Sequence, residues 1–175
     1  MQIKKTKLKG VYAIKPIAIK DKRGFFLESY NKRKIHSIFK GYFVQDNISK
    51  TIKKNVFRGL HFQKYPFAQD KIIRVIKGKI LDIVLDLRKN SKTFLKHQKF
   101  ILSEKNQMQI FIPKGFAHGF LTLENNCIVG YKVSNFFKKK YDSGLSIFDE
   151  KLKIKLPVKK KLVILSTKDK NLDCL

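Results

Sequence analysis

Four cationic or titratable side chains lie close together in the chain: Arg58, His61, Lys71 and Arg74. The residues between them include glycine and apolar side chains of the kinds that favour β-strands. A cluster of positive charge on a sheet predicts a pocket for an anion. In so lysine-rich a chain, solvated surface charge is the alternative interpretation for the two arginines and the lysine. His61 is harder to explain in that way, because two later segments supply partners for it.

The alternation of side chains along two predicted strands places Lys71 and Tyr131 on apolar faces. Lys71 shares its strand face with Ile73, and Tyr131 shares its own with Val129. If these faces point inward, a buried lysine is costly unless an anion meets it, and a buried tyrosine usually finds a hydrogen-bond partner. The pattern is equally consistent with a functional and with a purely structural role for Lys71. For Tyr131 taken alone it favours a core tyrosine with a satisfied hydroxyl.

The size and composition of the chain predict one globular domain over residues 1–175. The apolar fraction is 43%, with 15 phenylalanines and 6 tyrosines, enough to bury a core without disulfide or metal cross-links. The formal net charge of +27 raises the question of nucleic-acid binding. Only five of the 40 basic residues are arginines, however, and the lysines are spread over almost every segment. We therefore predict no nucleic-acid partner.

The cysteines and the N-terminal segment indicate the compartment. Cys127 and Cys174 make no disulfide framework and show no metal-ligand spacing, which predicts a reduced intracellular protein. The lysine-rich segment 1–10 has no apolar run behind it, so we expect neither a signal peptide nor a membrane span. The prediction is a cytoplasmic protein without a membrane partner.

Short strands separated by turns dominate the predicted secondary structure, and only residues 31–39 have the spacing of a helix. Strands are predicted at 11–19, 25–30, 42–49, 71–76, 80–87, 99–102, 107–112 and 128–137. The chain is therefore predicted to be all-β, an antiparallel sandwich or barrel with short flanking helices.

Two details of this prediction concern the strand at 80–87. One set of side chains alternates with another along it, which is the pattern of a half-buried strand. The first set is Leu81, Ile83, Leu85 and Leu87, and the second is Asp82, Val84 and Asp86. Lys77-Gly78-Lys79 predicts a hairpin that joins this strand to the preceding one.

The segment 112–120 contains the spacing Pro113-x-Gly115-x-x-His118 at the end of a predicted strand. Proline and glycine shape a tight turn, and the histidine falls on the next strand. This spacing resembles the second motif of the cupin superfamily, which implies a cupin-type antiparallel jelly-roll barrel. Metal-binding cupins resemble one another in a first motif with His-x-His and a following glutamate, whereas this chain has only His61 there. We predict no metal site, because no two of the four histidines lie at ligand spacing.

Further motifs occur in the order seen in the dTDP-4-dehydrorhamnose 3,5-epimerase family. They are Asp21-x-Arg23-Gly24-Phe25-Phe26-x-Glu28, Val44-Gln45-Asp46-Asn47, Phe57-Arg58-Gly59-Leu60-His61-Phe62-Gln63, Gln69-x-Lys71, Ile112-Pro113-x-Gly115-Phe116-Ala117-His118-Gly119-Phe120, Tyr131-Lys132 and Leu165-Ser166-x-Lys168-Asp169. Each motif alone is weak evidence, but so many in one order are specific. The chain resembles this family over nearly its whole length.

The resemblance implies a cofactor-independent epimerase that acts on a dTDP-linked 4-keto-6-deoxy sugar. A hydrogen next to a ketone is acidic only if the enolate is stabilised, so the site needs a base, a cation by the carbonyl oxygen and an acid on the opposite face of the ring. Carried over position by position, the resemblance implies that His61 is the base and Asp169 its orienting carboxylate. It also implies that Lys71 stabilises the enolate and that Tyr131 is the acid.

The resemblance implies substrate contacts and an assembly as well. Arg58 and Arg23 look like diphosphate ligands, with Arg23 reaching into the neighbouring subunit of a homodimer. The other expected substrate-binding residues are Glu28, Gln45, Asn47, His118 and Lys168.

Four positions depart from the family pattern. Ile48 stands where a histidine is common, and Phe137 stands where the family usually has a tyrosine close to the nucleotide. Ile147 and Leu156 replace two common tryptophans. None of these positions carries the base, the cation or the acid.

The hypothesis from the sequence is a 3,5-epimerase that converts dTDP-4-dehydro-6-deoxyglucose to dTDP-4-dehydro-L-rhamnose for surface polysaccharide. One alternative is an epimerase that inverts only C3 or only C5, or one that acts on another nucleotide sugar such as a GDP-4-keto-heptose. A second alternative is a non-catalytic cupin-type binding module, and a more distant one is a metal-dependent cupin oxygenase.

Overall fold

Thirteen strands, two four-residue α-helices and three 3-10 helices make up the chain, which the computed structural model describes from residue 1 to residue 175. The strands are β1 (Gln2–Lys5), β2 (Tyr12–Lys15), β3 (Ala18–Asp21), β4 (Gly24–Leu27), β5 (Gln45–Thr51), β6 (Phe57–Gln63), β7 (Lys71–Lys77), β8 (Lys79–Asp86), β9 (His97–Ser103), β10 (Gln109–Ile112), β11 (Phe116–Thr122), β12 (Cys127–Val133) and β13 (Asp142–Gly144). The helices are α1 (Lys32–Ile35) and α2 (Thr167–Lys170), with 3-10 turns at Lys139–Tyr141, Glu150–Leu152 and Lys160–Leu162. None of the helical segments has the length and apolar composition needed to cross a bilayer.

Eleven of the strands form two antiparallel sheets that face one another. The six-stranded sheet has the order β1-β2-β10-β7-β12-β5, and the five-stranded sheet has the order β13-β6-β11-β8-β9. The remaining strands, β3 and β4, form a separate hairpin. This all-β architecture is the cupin-type antiparallel jelly roll that the sequence predicts.

The main hydrophobic core fills the space between the two sheets. The inward faces of β7 and β12 contribute Ile73, Val75 and Val129, and the facing sheet contributes residues such as Val84 and Phe120. Lys71 and Tyr131 share these strand faces and line a cavity at one end of this core. The prediction that both side chains point inward is confirmed.

A second core covers the outer face of the five-stranded sheet. Leu81, Ile83 and Leu85 pack there against the C-terminal segment, which contributes Leu145 and Ile147. Every residue of β8 after Lys79 is buried, including Asp82, Val84 and Asp86. The half-buried pattern expected for this strand is therefore wrong. The C-terminal segment covers the leucine face, and the opposite face with Asp82 and Val84, which the alternation left for solvent, points toward the six-stranded sheet.

The predicted hairpin between β7 and β8 is also wrong. Gly78 does adopt a positive φ of 81°, as the turn requires. The two strands, however, belong to different sheets: β7 pairs with β10 and β12, whereas β8 pairs with β9 and β11. The short connection at Gly78 crosses from one sheet of the sandwich to the other.

The predicted N-terminal elements are shorter in the structure. The strand at 11–19 is interrupted after Lys15 and becomes β2 and β3, with Pro16 between them. The helix at 31–39 is reduced to α1, which Asn31 caps by accepting a hydrogen bond from the Lys34 backbone N–H.

Candidate active site

A cavity of about 290 Å³ lies between the two sheets at one end of the core. Its walls come from the two facing sheets, and α2 with its capping residue Ser166 closes one side. The lining residues are Ser49, Arg58, His61, Lys71, Ile73, His118, Phe120, Val129, Tyr131, Ser166, Lys168 and Asp169. The structure thus brings together seven of the side chains selected from the sequence.

The wall from the five-stranded sheet carries two histidines at one level. His61 on β6 lies directly opposite His118 on β11 in the strand register. The backbones of β6 and β11 come unusually close beside this pair. A Cβ placed on Gly119 would lie 2.7 Å from the Arg58 carbonyl oxygen, and a Cβ placed on Gly59 would lie 2.6 Å from the Gly119 Cα. The glycines therefore allow the approach that sets the two imidazoles side by side.

Replacing Gly119 with alanine is expected to lower the free energy of unfolding by about 1–3 kcal/mol, the usual cost of overpacking a well-packed interior. The added methyl group meets backbone atoms of β6, which cannot move aside cheaply. Urea denaturation measures the change. Gly130→Ala is the matched control: its Cβ meets side-chain atoms and no backbone, the nearest being the tip of Ile76 at 3.0 Å, and should cost less. Equal losses in the two variants would contradict the close-approach argument.

His61 is paired with a buried carboxylate. Its Nε2 lies 2.6 Å from Asp169 Oδ1, and Asp169 is held at the end of the chain on α2, which Ser166 caps. Burial alone would raise the pKa of Asp169, but hydrogen bonds from His61 and Ser166, the His61 charge and the Gly59 backbone N–H hold it below its usual value. An ionised Asp169 fixes the imidazole ring and leaves Nδ1 as the nitrogen that can accept a proton.

His118 has a carboxylate partner that the sequence analysis missed. Its Nε2 lies 2.7 Å from Oδ2 of Asp82 on β8, and both side chains are buried. The other carboxylate oxygen, Oδ1, is buried and has no hydrogen-bond partner. The signal was an aspartate inside a strongly apolar strand, which the half-buried pattern assigned to solvent. His118 is thus a fixed group in the wall of the cavity.

The wall from the six-stranded sheet carries Lys71 and Tyr131. In the pairing of β7 with β12, Lys71 lies opposite Val133 and Tyr131 lies opposite Ile73, so the two side chains are diagonal neighbours on the inward face. Burial lowers the pKa of Lys71 to about 8, with the carboxylates of Asp142 and Asp82 opposing the shift. Burial raises the pKa of Tyr131, and the Arg58 guanidinium partly offsets this rise. Tyr131 therefore keeps its proton near neutral pH.

Two further cations lie at the cavity, Arg58 and Lys168. Arg58 is held by β5, because its Nε donates to the Thr51 hydroxyl at 3.0 Å. Lys168, on α2 next to Asp169, forms an ion pair with Asp142 on β13. No local pattern marks Asp142 in the sequence, and only the folded chain brings it to this position.

A second cavity of about 320 Å³ continues from the first. The two cavities share His61, Lys71, Tyr131 and Lys168, so they form one continuous cleft. The second cavity adds two of the expected substrate-binding residues, Gln45 and Asn47, whose side chains hydrogen-bond to each other at 2.8 Å. Phe137, one of the departures from the family pattern, lines this part of the cleft and is half exposed.

Three of the cationic or acidic residues selected from the sequence lie away from this cleft in a single chain. Arg23 is exposed on the β3–β4 hairpin and pairs with Asp21 at 2.5 Å. Glu28 follows the hairpin and pairs with Lys34 at 2.7 Å. Arg74 lines a separate cavity on the outer face of the six-stranded sheet, on the side of β7 opposite to Lys71. Of the early cluster, Arg58, His61 and Lys71 therefore meet in the cleft, whereas Arg74 does not.

No group of three or more histidine, cysteine, aspartate or glutamate side chains is arranged to hold a metal ion. What the cleft does contain is a histidine with a carboxylate partner on one wall, and a tyrosine and a lysine on the facing wall. This arrangement can remove a proton from one face of a bound molecule and return one to the other face, with a cation available for negative charge. The fold and site therefore define a jelly-roll protein built for proton transfer.

Comparisons with known proteins identify the family. The family model described as dTDP-4-dehydrorhamnose 3,5-epimerase matches residues 5–175. The enzyme of that name from Escherichia coli strain K12 is 42% identical over 175 residues, which covers 98% of this chain and 93% of the relative. The chain belongs to the dTDP-4-dehydrorhamnose 3,5-epimerase family.

Solved structures agree with this assignment. The dTDP-4-dehydrorhamnose 3,5-epimerase of Bacillus anthracis, solved with TDP and PPi bound, superposes with a TM-score of 0.96 at 43% identity and covers 99% of both chains. The dTDP-6-deoxy-D-glucose-3,5-epimerase of Legionella pneumophila, solved in complex with dTDP-4-keto-L-rhamnose, has a TM-score of 0.94 at 34% identity, covering 99% of this chain and 92% of its own. The family resemblance drawn from the ordered motifs is confirmed.

Proposed function

We propose that this protein inverts C3 and C5 of dTDP-4-dehydro-6-deoxyglucose to give dTDP-4-dehydro-L-rhamnose, without a cofactor. The observation that carries the proposal is the placement of the His61–Asp169 pair and Tyr131 on facing walls of one cleft. Inversion of a carbon requires a proton to leave on one face and another to arrive on the opposite face. The ligands named for the Bacillus and Legionella structures support a dTDP-linked sugar as the substrate class.

The proposed mechanism needs only side chains that line the cleft. His61 takes the hydrogen next to the ketone as a proton, and the electron pair of the broken C–H bond moves into an enolate. The Lys71 ammonium stabilises the enolate oxygen. Tyr131 then gives its phenolic proton to the same carbon from the other side, and solvent restores the protonation states of Tyr131 and His61. The product differs from the substrate only in configuration, so no oxidant or reductant is involved.

Substrate binding is proposed to use the length of the cleft. Arg58 and Lys168 are the cations that suit a diphosphate, and His118, fixed by Asp82, lines the wall beside the sugar. Gln45 and Asn47 in the second cavity supply polar contacts for the rest of the nucleotide sugar. Nucleotide preference is proposed to depend on the surroundings of Phe137, whose ring offers stacking area and no hydroxyl.

Incubation with dTDP-4-dehydro-6-deoxyglucose in deuterated water tests the proposed function, with the sugar protons followed by NMR. Each inversion through an enolate replaces one carbon-bound hydrogen with deuterium from solvent. Loss of both the H3 and H5 signals is expected. Loss of only one signal would identify a single-position epimerase, and no exchange at either carbon would overturn the proposal for this sugar.

The value of kcat/KM is expected to fall as the pH rises through about 8, the pKa of Lys71. Burial lowers this pKa from 10.5, so the ammonium that stabilises the enolate is present below about pH 8 and is lost above it. Initial rates over a pH series measure the effect. Arginine stays protonated throughout this range, so Lys71→Arg should remove this loss from whatever activity remains. An unchanged high-pH loss in that variant would assign it to another group.

A homodimer is proposed as the functional assembly. The β3–β4 hairpin and its approach carry Ile17, Ile19, Phe25 and Phe26, each more than half exposed. Apolar side chains grouped in this way favour a protein–protein contact. Arg23 lies on the same hairpin and outside the cleft of its own chain. Docking the hairpin on a second copy would allow Arg23, with Glu28 behind it, to complete the partner's site.

The variant Phe26→Ser is expected to shift the protein from dimer to monomer in light scattering coupled to gel filtration, because it removes a large apolar side chain that is 72% exposed. Leu162→Ser is a matched control, since Leu162 is also exposed but lies on a 3-10 turn far along the chain. If the hairpin completes the neighbouring site, KM should rise in Phe26→Ser and in Arg23→Ala but not in the control. A monomeric wild-type protein with full activity would contradict the proposal.

A further inference from the structure

The ion pair between Lys168 and Asp142 stands where the two parts of the cleft meet. Lys168 lines both cavities and Asp142 lines the second. The two groups differ in exposure, since the Lys168 side chain is 51% exposed and that of Asp142 is 15% exposed. The carboxylate is thus largely buried in the wall, whereas the side chain of the lysine that pairs with it is half exposed to solvent.

Asp142 also interacts electrostatically with a second cation, Lys71. Its carboxylate is the foremost charge that opposes the effect of burial on the pKa of Lys71. One carboxylate in the wall of the second cavity therefore interacts with the ammonium groups of both Lys71 and Lys168. The strand β13 that holds it pairs with β6, with Asp142 opposite Gln63 and Gly144 opposite His61, so the carboxylate has a defined place beside the base.

We propose that Asp142 is a positioning residue that holds Lys168 before the substrate binds and interacts with Lys71 alone once the diphosphate of the substrate binds Lys168. The inference rests on the proposed function for the identity of the substrate. Its physical basis is competition between anions for one ammonium. A diphosphate carries more negative charge than a carboxylate and is also attracted by Arg58, so it can displace Asp142 from Lys168.

Once Lys168 binds the diphosphate, the Asp142 carboxylate stabilises the Lys71 ammonium alone. This happens in the substrate complex, where the positive charge of Lys71 is needed to stabilise the enolate. The other titratable groups that face Lys71 come from every element around the cleft: Arg58 and His61 on β6, Asp82 on β8, His118 on β11, Tyr131 on β12, and Lys168 and Asp169 on α2. Strand β10, which pairs with β7 on its other side, carries no titratable residue. Among these groups only the Lys168–Asp142 pair joins an exposed ammonium to a carboxylate that also influences Lys71. Binding of the diphosphate would thereby keep Lys71 protonated.

Binding of inorganic pyrophosphate and of dTDP to the intact protein, measured by calorimetry, tests the release of Lys168. Asp142→Asn keeps the shape of the side chain and removes its charge, so it should tighten both ligands by at least about 5-fold, the lower range of ordinary coupling between sites. Lys168→Gln should weaken both ligands, and in the double variant the tightening should disappear. Asp46→Asn is the control: Asp46 forms a similar exposed ion pair with Lys132 at 2.6 Å outside the cleft, and its loss should leave binding unchanged.

The pH dependence of turnover tests the effect on Lys71. In the wild-type protein the fall of kcat at high pH should lie at higher pH than that of kcat/KM, because kcat reports the complex and kcat/KM the free enzyme. In Asp142→Asn both falls should move to lower pH and the gap between them should narrow. A purely structural role of Asp142 would not move either fall.

The outcomes separate this inference from the proposed function. Pyrophosphate binding requires no turnover, so it reports on the ion pair even if the hydrogen-exchange experiment shows no epimerisation. Equal or weaker binding by Asp142→Asn, or strictly additive effects in the double variant, would overturn the inference while leaving an active epimerase in place. The inference would be established by three results together. Asp142→Asn should bind both ligands more tightly, the double variant should lose this gain, and the gap between the kcat and kcat/KM profiles should narrow in Asp142→Asn.

Discussion

Replacing His61 with alanine is expected to lower turnover by at least about 10²-fold, the smaller end of what a positioned general base contributes. The imidazole has a ring nitrogen without a partner, and its other nitrogen lies 2.6 Å from the buried carboxylate of Asp169. His118 forms a similar pair with Asp82, but its side chain is only 9% exposed, against 30% for His61, so His61 is the imidazole that is open to a substrate in the cleft. Both kcat for epimerisation and the rate of deuterium incorporation should fall together.

Two further variants test whether the loss of turnover is specific to the base and its carboxylate partner. His36→Asn removes an exposed histidine that follows α1, outside the cleft, and should leave turnover unchanged. Asp169→Asn keeps the size of the side chain but removes the charge that orients the ring and stabilises its protonated form, so it should cause a smaller loss than His61→Ala. Turnover by His61→Ala within a few-fold of the wild type would show that another group is the base.

Replacing Tyr131 with phenylalanine is expected to separate proton exchange from inversion. The variant keeps the aromatic ring and loses only the hydroxyl that returns a proton to the far face. His61 can still remove the proton and, after exchange with solvent, give deuterium back to the same face. Formation of the inverted product should therefore fall by about 10²-fold or more, as for loss of a general acid, while deuterium still enters the unchanged substrate.

The ratio of exchange to inversion is the decisive quantity in this experiment, and NMR in deuterated water measures both from one sample. Tyr12→Phe is the matched control, since Tyr12 lies on β2 of the same sheet, packs against Phe111 and is not part of the cleft. If exchange and inversion decline in parallel in Tyr131→Phe, the hydroxyl acts before the enolate forms and is not the acid on the opposite face.

These two results depend on one property of the fold, the distribution of the acid and the base between two sheets. His61 lies on β6 of the five-stranded sheet and Tyr131 on β12 of the six-stranded sheet. A planar enolate held between the sheets would present one face to each. A jelly roll supplies this geometry directly, because the ends of its facing strands enclose a cleft with two opposed walls.

Local patterns predicted much of the fold. Short alternating strands and frequent turns were sufficient for the all-β class, since strand periodicity is a property of neighbouring residues. Pairing between strands was less accessible: Gly78 predicts a tight turn correctly, but the turn joins two sheets instead of two strands of one hairpin. A turn signal specifies the local backbone and not the sheet that each strand enters.

The sequence by itself determined the residue types of the site and, through the order of its motifs, the family. It also determined that Lys71 and Tyr131 point inward, because period-two alternation carries that information. It did not reveal Asp82 or Asp142. Asp82 is buried because its side of β8 points into the space between the two sheets, beside His118, and Asp142 meets Lys168 across 26 residues of chain. Such partners are chosen by contacts between distant segments, so only the tertiary structure decided which carboxylate each cation and each histidine would have.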